Sequence, residues 1–570
     1  MKCETPNRLR WALTEWFAST ADRSSAIVGI AAVMAGWCLA SPSSAQLGPT
    51  TELVNTNSSG EAGDWYASSG QQAMSSDARF VVFISGATNL DVHDINHQPD
   101  VFVKDRVTGV TELASIATSG AQIHDVVWSA SISDDARFVA FDTTWDGLVP
   151  LDHNQVFDVF VRDRLLGITE CISVDTLGSP SDGTSNRPTL SSDGRFVCFD
   201  SSGSNLILSD TNSKFDVFVR DRLAGTSTRV SVGSSGNEGN DTSKFAAISG
   251  DGRFVVFKSW ATNLVPGDTN DEADYFVRDL LLDTTERVNV DSSGNQAWYT
   301  PSSSFKEPYI PGISDDGRYV VFYSNASNLV PGDTNGALDV FLRDRKLGIT
   351  ERISVDSYEN EVVPPWTSGV NFAQVSNDGR YVMFHFYSLD IAPSGPIPHQ
   401  HVYVRDRTAG TTALVDVSSD GSPGNDQASL PCMTPDGRFG AFGSDATNLD
   451  PISTNGFGGI FVRDLRTGGP EVSVSILLGG QAAILDITGA SPNGLIVLGV
   501  SLQGQGLLAS PWGPLQLDGL SVLLPFVTDI TGKVNATVPL HPGLQGLPLW
   551  VQGIDLNMNY PTSAWGGKIQ

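Results

Sequence analysis

An acidic phrase recurs five times in this chain of 570 residues, and its side chains suit a hard metal ion. Each copy reads Asp-x-Asn-x-x-x-Asp, which brings three oxygen-bearing side chains close together. Calcium takes roughly six to eight oxygen ligands, so these loops are candidate calcium sites, although they lack the Gly and the distal Glu of an EF-hand. The alternative is that Asp and Asn cap their own backbone in tight loops. The five copies are Asp94/Asn96/Asp100, Asp152/Asn154/Asp158, Asp210/Asn212/Asp216, Asp268/Asn270/Asp274 and Asp333/Asn335/Asp339.

Aromatic residues in the variable segments outside this phrase form a second candidate site. Flat aromatic faces beside carboxylates suit sugars, peptides or cationic groups. The alternative is that the rings pack inside the fold, since aromatic residues are usually buried. Phe245, Tyr309 and Phe372 lie in the same segments and belong to that question. The candidate ligand-binding residues are Trp65, Tyr66, Trp128, Trp298, Tyr299 and Trp366.

Sequence motifs of common enzyme classes are missing. The chain has no Gly-x-Ser-x-Gly elbow, no His-Glu-x-x-His pair, no phosphate-binding loop and no dinucleotide-binding fingerprint. His399 and His401 lack further ligand residues and are interpreted as exposed loop residues. We therefore expect a protein that is not an enzyme. Carboxylates are abundant, however, so a polysaccharide hydrolase or lyase that uses two of them stays open as the alternative.

These candidate residues are carried by a repeated framework. An arginine that follows an Asp-Gly or Asp-Ala turn recurs seven times, at spacings of 58, 58, 58, 65, 62 and 58 residues. A period of this length indicates a repeat architecture. The seven positions are Arg79, Arg137, Arg195, Arg253, Arg318, Arg380 and Arg438.

Each repeat reads as four short strands rich in β-branched and aromatic residues, separated by Gly, Asn, Asp and Pro. Asp-Gly between apolar runs favours a tight hairpin, because glycine adopts positive φ at no steric cost. Ala78 and Ala136 replace that glycine in the first two repeats, where the turn needs another geometry or carries mild strain. A four-stranded unit repeated seven times predicts a seven-bladed β-propeller.

Two features of the repeat make structural predictions. Residues 51–55 copy the fourth-strand phrase but precede the first complete repeat, so we expect them to pair with residues 460–464 and close the ring. Each repeat arginine opens the second strand, and an aspartate ends the third strand at the same edge 26 residues later. Because arginine can bind a carboxylate through two parallel hydrogen bonds, we expect seven ion pairs. The aspartates are Asp105, Asp163, Asp221, Asp279, Asp344, Asp406 and Asp464.

The repeat resembles a known family. The phrases Ser-x-Asp-Gly-Arg-Phe-Val-x-Phe and Asp-Val-Phe-Val-Arg-Asp-Arg-x-x-Gly are similar to the WD40-like repeat of TolB-type propellers over residues 50–469. The resemblance implies a propeller fold and, because secreted and periplasmic bacterial proteins carry this repeat, a place outside the cytoplasm. It implies no particular activity, since propellers host many unrelated functions.

The N-terminus and the charge balance restrict location and partners. Residues 1–45 combine basic residues, an apolar run and small residues, which predicts a cleaved signal peptide and no membrane span after cleavage. The remaining chain holds 31 basic and 61 acidic residues, a net charge of −30, which excludes nucleic acid as a partner. Cys171, Cys198 and Cys432 lack paired spacing and are interpreted as packed side chains.

Residues 470–570 nearly lack charge and alternate apolar runs with Gly and Pro turns, which is typical of a small β-sandwich. The phrase at residues 480–492 resembles a C-terminal module of large secreted bacterial proteins. The predicted all-β organisation is a signal peptide (1–45), a seven-bladed β-propeller (46–469) and a β-sandwich (470–570). We expect a monomeric, secreted or periplasmic, non-catalytic binding or scaffold protein for a protein, peptide or glycan, with calcium as the one candidate cofactor.

Overall fold

The computed structural model describes residues 50–298, 309–362, 371–387, 391, 399–452 and 456–465, together with the strands between residues 473 and 568. The chain divides into a unit Thr50–Leu465 and a second unit that includes Arg466–Gln570. The described residues form strands and turns without a helix, which confirms the all-β class. The predicted signal peptide lies outside the described residues.

The first unit is a seven-bladed β-propeller, as predicted. Each blade is an antiparallel sheet in which the first strand lies nearest the propeller axis and the last at the rim. Blades 1 to 4 comprise β2 (Ala67–Ser68), β3 (Phe80–Ser85), β4 (Asp100–Asp105) and β5 (Thr111–Leu113); β6 (Val127–Ile132), β7 (Phe138–Thr143), β8 (Asp158–Asp163) and β9 (Ile168–Cys171); β10 (Ser185–Leu190), β11 (Phe196–Ser201), β12 (Asp216–Asp221) and β13 (Thr226–Arg229); and β14 (Ser243–Ile248), β15 (Phe254–Ser259), β16 (Asp274–Asp279) and β17 (Thr284–Arg287).

Blades 5 to 7 follow the same order. They comprise β19 (Gly312–Ile313), β20 (Tyr319–Ser324), β21 (Asp339–Asp344) and β22 (Ile349–Arg352); β23 (Asn371–Val375), β24 (Tyr381–Phe386), β25 (His401–Asp406) and β26 (Thr411–Leu414); and β27 (Ala428–Met433), β28 (Phe439–Ser444) and β29 (Gly459–Asp464), with β1 (Thr51–Leu53) as the fourth strand of blade 7. A short strand, β18 (Tyr309–Ile310), pairs in parallel with β23.

The ring closes through its N-terminal strand. β1 pairs antiparallel with β29, in a register that places Thr51 opposite Arg463. The side chain of Asn55 continues the junction, because its Oδ1 accepts a hydrogen bond from the backbone N–H of Ile460 at 2.9 Å. This confirms the predicted closure. Blade 7 therefore draws its strands from both ends of the unit, so opening it requires both ends to separate.

A pair of neighbouring aromatic rings recurs in the core of every blade, stacked in six blades and tilted in blade 6. In blade 3, Phe199 lies directly opposite Phe218, with the ring centroids 6.0 Å apart. Both rings are buried, and such a pair contributes about 0.5–1.5 kcal/mol beyond the area it buries. The seven pairs are Phe83–Phe102, Phe141–Phe160, Phe199–Phe218, Phe257–Phe276, Phe322–Phe341, Phe384–Tyr403 and Phe442–Phe461.

The turn between the first and second strands has one geometry in every blade. The five glycines at this position adopt φ between 66° and 72°, and Ala78 and Ala136 adopt φ of 55° and 57°. The expectation of a different turn in blades 1 and 2 is therefore wrong, and the alternative of strain holds. An L residue in the left-handed region costs about 1–2 kcal/mol.

All seven predicted ion pairs form at this turn. Arg253 donates from Nε and Nη2 to the two carboxylate oxygens of Asp279, at 2.9 and 2.6 Å. Six pairs make two such bonds, and Arg438 reaches Asp464 through Nε at 3.3 Å. The hydrogen bond from Arg253 holds the pKa of Asp279 below its ordinary value.

A second ion pair, which the sequence analysis did not predict, joins neighbouring blades. Arg164 of blade 2 binds Glu112 of blade 1 at 2.5 Å, and its guanidinium lies 4.8 Å from the ring centroid of Phe80. Equivalent pairs are Arg106–Glu52, Arg222–Glu170, Arg345–Glu286 and Arg407–Glu351. The junctions of blade 3 with blade 4 and of blade 6 with blade 7 lack this pair. There the glutamate is replaced by Thr228 or Ala413, and the arginine by Leu280 or Leu465.

The second unit is also built of strands. β30 (Ser473–Gly479), β31 (Ala482–Thr488) and β36 (Val534–Pro539) form one antiparallel sheet. A second sheet contains β32 (Leu495–Ser501), β35 (Ser521–Val527), β37 (Pro548–Asp555), β38 (Tyr560–Pro561) and β39 (Trp565–Lys568), and β33 (Leu507–Ser510) pairs with β34 (Gly513–Gln516). The apolar runs that the sequence analysis singled out in this region are therefore strands.

Candidate binding sites of the propeller

The strand order separates two faces of the propeller. The loops between the second and third strands, and the crossings between blades, open on one face, which we name the crossing face. The Asp-Gly and Arg-Asp-Arg turns open on the opposite face, which we name the tight-turn face. Because the blades differ in length only at the crossings, variation is confined to the crossing face.

In the acidic loops the asparagine stabilises the loop itself. Asn154 accepts a hydrogen bond from the backbone N–H of Val156 at 3.0 Å and donates to Asp158 at 2.6 Å and to the carbonyl of Ser181 at 2.8 Å. In the other four loops the asparagine makes the same donor contacts, to the second aspartate of the phrase and to a backbone carbonyl of the next crossing. These residues are Asn96, Asn212, Asn270 and Asn335. The asparagines thus serve as turn caps, and the carboxylates remain as candidate ligands.

An arginine from the fourth strand enters the acidic loop in blades 3, 4 and 5. Nη1 of Arg229 lies 3.6 Å from both Asp210 and Asp216 and also contacts Glu238. Arg352 repeats this arrangement with Asp333, Asp339 and Glu361, and Arg287 contacts Asp268 and Asp274. In blades 3 and 5 the three carboxylates lie within 4.8 Å of one another, which is close enough to bind a metal ion, but the guanidinium lies among them.

Blade 1 replaces the arginine with an amide. Leu113 lies opposite Phe102, at the register position of the arginine, and Gln122 supplies the polar contact. Nε2 of Gln122 donates to Asp94 at 2.7 Å and to Asp100 at 2.8 Å. The two carboxylates therefore share one neutral donor.

Blade 2 has neither an arginine nor an amide at this place. Cys171 lies at the arginine position, opposite Phe160, and Pro180 lies where blade 1 has its glutamine. Among the described residues, no side chain donates a hydrogen bond to Asp152, whose Oδ1 is buried without a partner. Burial raises the pKa of its neighbour Asp158 to about 7.

Four of the predicted ligand-binding aromatics are described, and all four are exposed. Their exposed fractions are 58% for Trp65, 53% for Tyr66, 64% for Trp128 and 61% for Trp298. Tyr299 and Trp366 lie outside the described residues. The packing alternative holds instead for Phe245, Tyr309 and Phe372, which are buried.

Two of the exposed rings lie against a second ring from the same face. Trp65 stacks on Phe457 with a centroid distance of 5.8 Å, and Trp128 contacts Phe157 at 4.7 Å. Phe157 and Phe457 belong to the loops between the second and third strands. Paired rings of this kind present flat apolar platforms to solvent.

Residues from several blades meet at the propeller axis, eight positions before each repeat arginine. At this level the first strand bulges, and Arg187, Phe245 and Leu430 adopt positive φ. Blades 4 to 7 contribute an apolar cluster, and blades 1 to 3 contribute polar side chains. The seven residues are Gln71, Ser129, Arg187, Phe245, Ile310, Phe372 and Leu430.

Two basic side chains at this mouth contrast with the acidity of the chain. The guanidinium of Arg187 lies 4.9 Å from the ring centroid of Phe245 and 3.8 Å from the buried carboxylate of Asp200. Nζ of Lys244 lies 3.3 Å from the ring centroid of Phe215. Neither cation could be predicted as part of a site, because each lies on a first strand whose bulge is not visible in the hydrophobic pattern.

The opposite mouth of the axis is a funnel with a cavity of about 70 Å³, whose described lining residues include no aromatic side chain. Asp134 and Asp315 lie at its rim, and burial raises the pKa of Asp134 to about 6. The backbone N–H of Asp134 donates to the carbonyl of Ser192 at 3.1 Å, and Asn377 donates to the Asp315 carboxylate. These aspartates therefore belong to a hydrogen-bonded ring that joins adjacent blades.

His401 is not an exposed loop residue, contrary to the sequence interpretation. It is fully buried at the start of β25, and its Nδ1 lies 2.5 Å from the carboxylate of Asp416. Blades 1, 2, 3 and 5 place an aspartate and a serine at these two positions, as in Asp158 with Ser173. Blade 6 therefore has a histidine and an aspartate in place of that aspartate and serine. The sequence pattern does not reveal the new pair, because its partners lie 15 residues apart.

The three cysteines among the described residues are free, and two of them, Cys198 and Cys432, are buried, as their interpretation as packed side chains predicts. Within the described part of the chain, no helix has the length and apolar character that crossing a membrane requires.

The known proteins that resemble this chain are solved structures of low sequence identity. No protein-family model and no curated protein matches the chain. Similar solved structures include a TolB-like protein from Agrobacterium tumefaciens (16% identity, TM-score 0.30, 50% of this chain and 80% of that chain) and the WD40 repeats of RRP9 (8% identity, TM-score 0.35, 74% and 99%). Another is prolyl oligopeptidase B from Galerina marginata bound to a 25mer macrocyclization substrate (10% identity, TM-score 0.35, 76% and 57%). At these identities and scores the similarity supports no conclusion about activity.

Proposed function

We propose that this protein is an exported, non-catalytic binding or scaffold protein that holds a protein, peptide or glycan on the crossing face, around the propeller axis. One observation supports this most directly. The exposed aromatic rings belong to the segments of the crossing face, on a rigid scaffold whose variable loops lie there too. Binding residues are commonly placed on variable loops of a rigid framework.

The rings and the two cations define what the ligand should look like. Trp128 with Phe157 offers an apolar platform, and Arg187 and Lys244 supply positive charge near the same mouth. Exposed tryptophans that can be buried by a partner are frequent sources of binding energy. A ligand with a flat apolar or sugar face and a carboxylate, such as a peptide end or an acidic glycan, matches both features.

The structure favours binding over a polysaccharide hydrolase or lyase. The carboxylate pair closest to that alternative is Asp134 with Asp315 in the funnel of the tight-turn face. Asn377 hydrogen bonds to Asp315, and the described lining residues include no ring to hold a sugar. Binding would therefore use the crossing face and catalysis the tight-turn face, so mutations on one face test one function without the other.

The test is a binding screen of the purified protein against peptides and neutral and acidic glycans. We expect an acidic ligand to bind, Trp128→Ala and Lys244→Ala to weaken binding at least tenfold, and the melting temperature to stay unchanged. Leu177→Ala, a matched control, removes an exposed side chain on a crossing turn and should leave binding intact. Undiminished binding in Trp128→Ala would contradict the proposed face.

The enzyme alternative is tested in parallel by incubating the same glycans with the protein and measuring new reducing ends. Cleavage that is lost in Asp134→Asn with Asp315→Asn would replace the proposal with the alternative. Export is tested by expressing the full chain and fractionating the cells. We expect a product outside the cytoplasm that begins after residue 45.

A further inference from the structure

We propose that the acidic loop of blade 2 binds one calcium ion between Asp152 and Asp158, in the place where blades 3, 4 and 5 hold an arginine side chain. The inference is independent of the ligand proposed above, because the loop is a structural element of the blade.

The equivalence of the blades is set by strand register. Cys171 pairs with Phe160 in blade 2 as Arg229 pairs with Phe218 in blade 3. The bridge of Val174 with Pro180 in blade 2 corresponds to that of Val232 with Glu238 in blade 3. Cys171 and Pro180 therefore replace the two side chains that complete the loop in blade 3.

Asp152 is the member of the loop that needs a partner. It is 2% exposed, and its Oδ1 accepts no hydrogen bond. A buried carboxylate oxygen without a partner is costly, because it loses its hydration without compensation. Asp94, Asp268 and Asp333 also have one buried oxygen without a hydrogen bond. Unlike Asp152, however, each of the four counterparts faces a donor side chain in the described structure: Asp94 with Gln122, Asp210 with Arg229, Asp268 with Arg287 and Asp333 with Arg352.

Blade 2 also places a third carboxylate, that of Asp146, near its acidic loop. Asp146 replaces the hydroxyl residue found at this place in blades 1, 3 and 4, which is Thr88, Ser204 or Thr262. Burial raises the pKa of Asp152, and the negative charge of Asp146 raises it further, so the two carboxylates lie close enough to interact. In the described part of the chain, the basic side chain that acts on Asp152 is that of His153, which is exposed.

The donor chemistry selects calcium among common cations. Carboxylates, loop carbonyls and water are hard oxygen ligands, and calcium tolerates the irregular geometry of a loop. Magnesium requires near-octahedral ligands and retains its own water, so it fits a flexible loop less well. Zinc prefers thiolate or imidazole, and burial raises the pKa of the Cys171 thiol well above its ordinary value, which keeps it protonated.

The experiment is thermal unfolding and titration calorimetry of the purified, EDTA-treated protein with calcium or magnesium. Because calcium binds the folded loop, we expect millimolar calcium to raise the melting temperature by a few degrees, with about one ion per chain and a smaller response to magnesium. Asp152→Asn should abolish the response. Asp94→Asn, the matched control in blade 1, should preserve it.

The repeats themselves provide the decisive variants. Cys171→Arg supplies the guanidinium used in blades 3 to 5, so it should raise the melting temperature in EDTA and remove the calcium response. Arg229→Cys removes the guanidinium from blade 3 and should create a second calcium equivalent. Absence of a calcium-specific shift in the unmodified protein, or a full response in Asp152→Asn, would overturn the proposal; if Cys171→Arg fails to fold, the asparagine variants decide.

Discussion

The two faces of the propeller are built from the same repeats but treat charge differently. On the tight-turn face all seven repeat arginines meet an aspartate, and five further arginines meet a glutamate of the preceding blade. On the crossing face the acidic loop contains an arginine in three blades and a glutamine amide in one. In blade 2 no described side chain donates to Asp152. Constant turn length allows constant pairing, whereas variable crossings leave groups available for ligands.

Both faces depend on the closed ring, and removing the closing strand should have the largest effect on stability. Deleting residues 46–56 exposes the edge of β29 and removes the buried Leu53 and Val54. We expect a loss on the order of 5 kcal/mol or more and association through the exposed edge. Size-exclusion chromatography and thermal unfolding measure this, with deletion of residues 46–49 as the control. A monomer with unchanged melting would show that the strand is dispensable.

The ion-paired aspartates of the tight-turn face and the buried aspartates of the acidic loops should respond to acid in opposite directions. The tight-turn aspartates, such as Asp279, have lowered pKa values, so they stabilise the fold above the unfolded pKa of ~4 and lose that contribution as pH falls further. Buried aspartates of the acidic loops have raised pKa values, about 7 for Asp158 and about 6 for Asp100, so their penalty is relieved as pH falls from about 7 towards ~4. Asp134 at the tight-turn face, whose pKa burial raises to about 6, behaves in the same way. His385, whose pKa burial lowers to about 4, opposes this as a single group.

We therefore expect the melting temperature in EDTA to rise between pH 7.5 and 5 and to fall steeply below pH ~4. Asp158→Asn should flatten the upper part of this profile. A continuous decrease from pH 7.5 to 5 would mean that the buried carboxyls do not carry the charge assigned to them.

Two glycines with the same backbone conformation distinguish packing on the two faces. Gly252 on the tight-turn face has φ of 72°, and an added Cβ would lie 2.3 Å from the ring of Phe196. Gly267 on the crossing face has φ of 76°, and its Cβ would meet nothing within 4 Å. We expect Gly267→Ala to cost about 1 kcal/mol and Gly252→Ala about 2–3 kcal/mol by denaturant unfolding. Equal costs would contradict the difference in packing.

The ion pairs of the tight-turn face should give the smallest effect. Arg253→Lys keeps the charge but cannot make the two parallel bonds to Asp279, so we expect a small decrease in melting temperature. Arg438→Lys is the matched control. Arg438 approaches Asp464 through Nε at 3.3 Å, so the substitution removes a weaker interaction. A larger decrease for Arg438→Lys would show that the bidentate geometry does not matter.

Much of the framework could be predicted because it depends on period and polarity. Repeated Asp-Gly-Arg turns, the displaced strand at residues 51–55 and the 26-residue spacing of each ion pair are local or periodic signals, and all three predictions are confirmed. The inter-blade pair of Arg164 with Glu112 was missed, because its partners lie 52 residues apart in different repeats. The burial of His401 was missed for the same kind of reason.

The sequence by itself determined the number of blades, the strand order, the ring closure and the acidic and aromatic residue types of the crossing face. These follow from alternation, turn chemistry and repetition, which act between residues that are close in the chain or equivalent in each repeat. Only the tertiary structure decided which aromatics are exposed, which carboxylates meet an arginine and which, like Asp152, do not. Those outcomes depend on contacts between neighbouring strands and blades, where one substitution such as Cys171 for arginine changes the partner of a residue far away in the sequence.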